Sequence, residues 1–118
     1  KIIQFATLSV SKSLQKTIEI ELPKIIERLH DGLPAPIVII RSSLLQNPTH
    51  NHQVLVTGYG ENGSTLDLEV YDPNHPKINP VLSIHQYPVY LITQSTGEPV
   101  RGLFLNKYSY QFSLANPE

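Results

Sequence analysis

The chain has 118 residues, enough for one domain with a single modest core, and its content of 16% charged and 40% hydrophobic residues is that of an ordinary globular protein. Nine basic and ten acidic side chains give a net charge of −1, so the charge balance predicts neither a nucleic acid nor an anionic membrane as partner. No run approaches the roughly 18–20 apolar residues of a membrane span. The absence of cysteine excludes disulfides and thiolate metal sites.

Two features of the composition bear on the organisation of the chain. Methionine is absent, even at position 1. Because translation begins at methionine, we expect the chain to be part of a longer translated product. The ten prolines are many for this length, and they favour a fold rich in loops and sheet, since proline lacks a backbone donor and is found in turns and at strand edges.

Two elements are predicted in the first third of the chain. Residues 1–10, KIIQFATLSV, mix β-branched and aromatic side chains and are predicted to form a strand. Residues 11–32 place apolar side chains at the three- and four-residue spacing of an amphipathic helix. These side chains are Leu14, Ile18, Leu22, Ile25, Ile26 and Leu29.

The predicted helix has candidate capping residues at both ends. Ser11 or Ser13 could accept a hydrogen bond from a backbone N–H at its start. Asp31-Gly32 predicts its end, since glycine adopts the left-handed conformation that often follows a helix. Pro23 interrupts the pattern, so the helix either begins just before it or is kinked at it.

The remainder of the chain reads as strands separated by proline-, glycine- and asparagine-rich turns. Strands are predicted at about 36–41, at 52–59 and 65–72, and within the segments VLSIHQ, VYLITQ and GLFLNKYSYQF. A helix followed by strands of this kind predicts the α+β class. We therefore expect a single domain with one N-terminal helix packed on an antiparallel β-sheet of about five or six strands.

The hairpin within residues 51–76 has a histidine on one strand and an aspartate on the other, both at its open end. A turn of residues 61–63, with Gly63 left-handed, keeps the apolar face of the hairpin continuous. That register pairs 58 with 66, 56 with 68, 54 with 70 and 52 with 72. Opposed Cβ atoms are about 4.5–5.5 Å apart, so His52 and Asp72 could hydrogen-bond. The competing register turns at Asn62-Gly63 and reverses every face, since it slips by one residue.

An imidazole beside a carboxylate has a known chemical use. The carboxylate fixes the tautomer and stabilises the imidazolium, so that the other ring nitrogen can act as a general base. Such a pair also needs a nucleophile and an oxyanion donor. The alternative interpretation is structural: His52 ends a strand, and Asp72 begins the common turn sequence Asp-Pro-Asn.

The sequence of this stretch resembles that of a known family. HQVLVTGYG followed by a hairpin and VYDPN is similar to the His and Asp half of papain-like cysteine peptidases, nearest the bacterial peptidase-like group related to the bacteriocin leader-processing peptidases. GLPAPIVIIRSS resembles the strand before the histidine strand of that family. The resemblance covers residues 33–76. It implies that His52 is the catalytic histidine and that Asp72 orients it.

The family also carries groups that this chain lacks. Its nucleophilic cysteine lies on an N-terminal helix, with an oxyanion-hole glutamine just before it. The resemblance therefore implies that the chain is the C-terminal portion of a larger papain-like domain, inactive alone, whose cysteine-bearing segment lies N-terminal to it. The complete enzyme would hydrolyse a peptide bond of a peptide or protein substrate without a cofactor. The alternative is a relative that kept the scaffold as a non-catalytic binding domain.

The sequence offers three other candidate sites besides this pair. A zinc site could draw on nitrogen and oxygen ligands, namely His50, His52, His75 and His85 with Asp72. A serine hydrolase would need Ser42 or Ser43, but neither lies in a strand-to-helix elbow with small flanking residues. Aromatic side chains could line a groove, although they more often pack in a core or across strands. These are Tyr87, Tyr90, Phe104, Tyr108, Tyr110 and Phe112.

Overall fold

A computed structural model of the chain describes residues 9–41, 52–73, 76–97 and 100–106. One N-terminal helical stretch packs on a six-stranded antiparallel sheet, which confirms the α+β class. The helical stretch consists of α1 (Val10–Lys16), a π-helical turn (Thr17–Glu21) and α2 (Leu22–His30). The strands are β1 (Ala35–Ile40), β2 (His52–Asn62), β3 (Thr65–Tyr71), β4 (Val81–His85), β5 (Leu91–Gln94) and β6 (Gly102–Leu105), and their order in the sheet is β5-β4-β3-β2-β1-β6.

The helix begins earlier than its sequence pattern predicted. Ser9 is its N-cap and accepts a hydrogen bond from the backbone N–H of Lys12 at 3.3 Å, so the caps expected at Ser11 and Ser13 are wrong. Val10 is helical, which corrects the end of the strand predicted over residues 1–10; residues 1–8 of that strand lie outside the described residues. The predicted end is confirmed, since Gly32 has a φ of 78° directly after the cap Asp31.

Pro23 neither starts the helix nor ends it, because helical structure continues from Val10 through to His30. The irregularity lies just before the proline, as a single π-helical turn. There the backbone N–H of Leu22 donates to the carbonyl of Thr17, five residues earlier. The helical stretch as a whole therefore begins well before Leu22, although its last segment, α2, does begin at Leu22 with Pro23 in its first turn.

The helix covers the outer edge of β6 with two polar side chains. The Thr17 hydroxyl donates to the carbonyl of Leu103 at 3.0 Å and accepts from its N–H at 2.9 Å. Glu21 Oε1 accepts from the N–H of Leu105 at 3.0 Å. Because β6 is an outermost strand, these bonds satisfy backbone groups that an edge strand would otherwise leave open.

The sheet curls so that its helix-side face forms the main core. Tyr90, just before β5, donates to Glu19 on the helix at 2.8 Å, and Ile18, Leu22 and Ile25 of the helix are buried in the same cluster as the strands. The strand residues of that cluster are Ala35, Ile37, Ile39, Val54, Val56, Leu68, Val70, Leu82, Ile84, Ile92 and Leu103. No helix of the described ranges is long and apolar enough to cross a membrane.

Of the aromatic side chains considered above, Phe104 is buried in a second cluster with Val38 and Ile40. That cluster lies on the sheet face opposite the helix, since these residues alternate with Ile37, Ile39 and Leu103. Tyr87 is 83% exposed. Residues 107–112 of the predicted last strand, with their three aromatic side chains, lie outside the described part of the chain.

Neither hairpin register expected from the sequence is correct. Asn62 pairs with Thr65, so the turn is Gly63-Ser64, with Gly63 at a φ of 64°. The register then shifts between Val56 and Gly58, where a β-bulge inserts one extra residue. Beyond the bulge Val56 pairs with Val70, not with residue 68, and the apolar residues of both strands still share the helix-side face.

Candidate functional site

His52 lies at the beginning of β2, on the helix-side face of the sheet. It pairs directly with Ile39 of β1, and Ile39 is buried in the main core. Paired residues of an antiparallel ladder point to the same face. His52 therefore stands at the edge of the core, where β1 ends and β2 begins.

Asp72 reaches the same place from the other strand of the hairpin. Leu55 pairs with Tyr71, so continuing the ladder by one residue puts Asp72 beside Val54. This register differs by two residues from the predicted pairing of 52 with 72. A slip of two residues leaves every side chain on its original face, since strand alternation has a period of two. His52 and Asp72 therefore remain neighbours, but along a diagonal.

The predicted contact between the two side chains is present. Nε2 of His52 lies 2.5 Å from Oδ1 of Asp72. The Asp72 side chain is fully buried, whereas that of His52 is 14% exposed. The carboxylate is thus out of contact with solvent, whereas part of the imidazole reaches the surface.

This geometry assigns different tasks to the two ring nitrogens. An ionised carboxylate only accepts hydrogen bonds, so Nε2–H must be the donor to Asp72. In the neutral ring the lone pair then resides on Nδ1. None of the residues that the structure describes hydrogen-bonds Nδ1. The pair can therefore present Nδ1 as a proton acceptor and hold the resulting imidazolium beside a negative charge.

The residues of the rival sites do not come together at this pair. His85 pairs with Thr65, on the face opposite the helix, and its Nε2 lies 3.5 Å from the Thr93 hydroxyl. Within the described ranges no three His, Cys, Asp or Glu residues are arranged to hold a metal ion. The other residues of the zinc and serine alternatives, His50, His75, Ser42 and Ser43, lie outside those ranges.

Arg41 lies at the same end of the sheet as the pair, a position that the sequence pattern did not indicate. It follows β1 directly, two residues after Ile39, and alternation returns it to the face of His52. The local sequence around Arg41 carries no signal for this position, because it depends on β1 lying next to β2 in the sheet.

No protein-family model matches the chain, and neither a curated protein nor a solved structure matches it.

Proposed function

We propose that this chain is the histidine- and aspartate-bearing part of a papain-like cysteine peptidase, with the nucleophilic cysteine supplied from outside the 118 residues. One observation carries the proposal: Nε2 of His52 is bound to the buried carboxylate of Asp72, which leaves Nδ1 for the reaction. The resemblance of residues 33–76 to that family supplies the reaction class.

In the proposed reaction Nδ1 of His52 takes the proton of the cysteine thiol. The thiolate attacks the carbonyl carbon of the scissile peptide bond, and the imidazolium returns the proton to the leaving amine as the C–N bond breaks. The resulting thioester is then hydrolysed by a water molecule that His52 deprotonates. Throughout, Asp72 holds the ring in one orientation and stabilises its charged form.

The burial of Asp72 favours this proposal over a purely structural contact. An aspartate that only begins a turn is usually solvated, whereas placing a carboxylate in the interior is costly unless it is paired. Here the carboxylate is fully buried and its partner is a ring that remains 14% exposed. That arrangement leaves the imidazole accessible from the surface. A general base needs this access, because it must contact its substrate.

The test uses the complete open reading frame that contains this chain. A thiol-directed peptidyl electrophile should label one cysteine outside the 118 residues, and His52→Ala should lower the labelling rate by about 10²–10⁴-fold, the usual range for loss of a general base. His85→Ala is the matched control, because His85 lies on the opposite face, and it should label at the original rate. Labelling that is equally fast in His52→Ala would contradict the proposal.

A second candidate is a non-catalytic binding domain built on the same scaffold. The observation that favours it is the absence of cysteine from all 118 residues, since such a chain cannot form a thioester by itself. A complete reading frame in which the probe labels no cysteine, while the chain retains its fold, would select this candidate and reject the peptidase.

A further inference from the structure

The tip of the β2–β3 hairpin carries the dipeptide Asn62-Gly63, and both of its residues are exposed. Asn62 is the last residue of β2, and it pairs with Thr65 across the turn. Glycine follows asparagine at no other place in the chain. The remaining asparagines precede proline, histidine or lysine, and they are Asn47, Asn51, Asn74, Asn79, Asn106 and Asn116.

An asparagine side chain can react with the backbone of the residue that follows it. The backbone nitrogen of the next residue attacks Cγ of the asparagine, so that an N–Cγ bond forms and the Cγ–Nδ2 bond breaks. Ammonia leaves with the proton of the attacking N–H, and a succinimide ring remains. Water then opens the ring: cleavage of the N–Cγ bond gives aspartate, and cleavage of the bond to the backbone carbonyl carbon gives isoaspartate. Neither step needs an oxidant or a reductant.

Gly63 supplies an unhindered nitrogen for this attack. It has no side chain, and a Cβ atom placed there would meet nothing within 4 Å, so no neighbouring group crowds that side of the turn. None of the residues that the structure describes accepts a hydrogen bond from the Gly63 N–H, since the turn is closed by the pairing of Asn62 with Thr65. Proline, which follows three of the other asparagines, has no N–H proton to lose.

The surroundings of Asn62 suit an amide and not a carboxylate. Nδ2 of Asn62 donates to Oδ2 of Asp67 at 3.2 Å. The Ser83 hydroxyl, with smaller contributions that include Asn62 itself, holds the pKa of Asp67 below its usual value of 3.8, so Asp67 is ionised at neutral pH. A carboxylate at position 62 would remove the donor and put a second negative charge in its place. Like charges on neighbouring strand residues of one face are destabilising.

We propose that Asn62 is a site of spontaneous succinimide formation, and that the products weaken the tip of the hairpin. Aspartate sets one carboxylate against another. Isoaspartate also adds one carbon atom to the main chain at a turn whose geometry fixes the register of both strands. Asp67 slows the reaction, because its hydrogen bond holds the Asn62 amide to the opposite strand. The reaction needs only water, so it is independent of the peptidase proposed above.

Peptide mapping by mass spectrometry measures the reaction in the folded chain during incubation in mildly alkaline buffer. We expect Asn62 to be converted before any other asparagine. Asp67→Ala should accelerate the conversion by roughly two- to tenfold, the factor that corresponds to the net energy of one hydrogen bond. Glu61→Gln is the matched control and should leave the rate unchanged, because the Glu61 side chain makes no hydrogen bond with the described residues. Earlier conversion of another asparagine, or an unchanged rate in Asp67→Ala, would overturn the proposal.

Substitutions test the consequence of the reaction for the hairpin. Asn62→Ala removes the hydrogen bond alone, whereas Asn62→Asp also adds the charge. At pH 7 the melting temperature of Asn62→Asp should therefore be lower than that of Asn62→Ala by roughly 2–4 °C, and the difference should vanish once Asp67 is protonated.

A double variant separates charge repulsion from other effects of the new side chain. Asn62→Asp combined with Asp67→Asn exchanges acceptor and donor between the same two positions, so it should regain most of the stability that Asn62→Asp loses. Equal melting temperatures for Asn62→Asp and Asn62→Ala would contradict the proposed weakening of the tip. A double variant that is no more stable than Asn62→Asp would contradict it as well.

Discussion

The hydroxyl of Thr17 binds both backbone groups of Leu103, donating to the carbonyl and accepting from the N–H. Thr17 is fully buried, so water does not compete for these hydrogen bonds. One helical side chain thus supplies the hydrogen bonds that a further strand would give to the edge of the sheet. It also fixes the helix against β6, and hence against the level of His52.

Replacing Thr17 with valine should destabilise the fold. The substitution keeps the shape of the side chain but leaves the N–H and carbonyl of Leu103 buried without their partner, which costs about 1–3 kcal/mol. Urea denaturation should show this as a lower midpoint with an unchanged slope. Thr93→Val is the matched control, because Thr93 is exposed on β5, and its effect should stay within about 0.5 kcal/mol. Equal stability of Thr17→Val and the original chain would contradict this account.

Asp72 should determine the tautomer of His52. In the original chain the neutral ring should carry its proton on Nε2, because that nitrogen donates to the carboxylate. In Asp72→Ala the ring loses this constraint and should populate both tautomers. Nitrogen-15 chemical shifts of the His52 ring measure the change directly. Asp67→Ala serves as control, because Asp67 lies on the opposite face, and a shift of the tautomer in that variant would count against a specific role for Asp72.

Asp67 should make the stability of the hairpin depend on acid pH. The Ser83 hydroxyl, with smaller contributions from Asn62, Thr65 and His85, holds the pKa of Asp67 below its usual value of 3.8, although burial partly opposes this. The folded pKa is thus below the unfolded one, so the stabilisation is complete above pH 3.8 and is lost as the pH falls through the folded pKa.

The measurement is a comparison of thermal unfolding at neutral and at acid pH. Asp67→Asn should lower the melting temperature at pH 7, and the difference from the original chain should shrink at a pH below the folded pKa. Glu61→Gln is a suitable control, since Glu61 is exposed near the tip of the hairpin. A difference in melting temperature that grows on acidification would contradict a folded pKa of Asp67 below the unfolded one.

The turn of the hairpin requires glycine at one position only. Gly63 has a φ of 64°, a conformation that costs residues with a Cβ atom roughly 1–2 kcal/mol. Gly60 has a negative φ, and a Cβ atom placed there would meet nothing within 4 Å. We therefore expect Gly63→Ala to destabilise by about 1 kcal/mol and Gly60→Ala to be neutral. Equal effects of the two substitutions in denaturant titrations would contradict the turn described here.

Periodicity in the sequence predicted the faces of the elements better than their registers. The apolar spacing from Leu14 to Leu29 marked the buried side of the helix, and alternation marked Val54 and Val56 as core residues. The apolar spacing did not predict the π-helical turn before Pro23, because a single wide turn hardly changes a three- and four-residue pattern. Such patterns report which side of an element is apolar, and they carry little information about local irregularities.

The contact between His52 and Asp72 was predicted through an incorrect register. Alternation has a period of two, so it cannot distinguish pairings that differ by two residues. The turn at Gly63-Ser64 and the bulge beside Thr57 each depend on local backbone conformation, which the apolar pattern does not encode. The sequence did not indicate the position of Arg41 for a different reason: its place at the same end of the sheet as His52 follows from the order of the strands.

The bulge beside Thr57 divides the hairpin into two segments with separate registers. The segment next to the core aligns His52 with Asp72, and the outer segment, from Gly58 to the tip, obeys the geometry of the turn. A bulge at this point can accommodate an additional residue. A change in the length of the hairpin tip is therefore not transmitted to the register beside His52 and Asp72. We therefore expect the length of the tip to be adjustable, by insertion or exchange of turns, without moving the imidazole relative to its carboxylate.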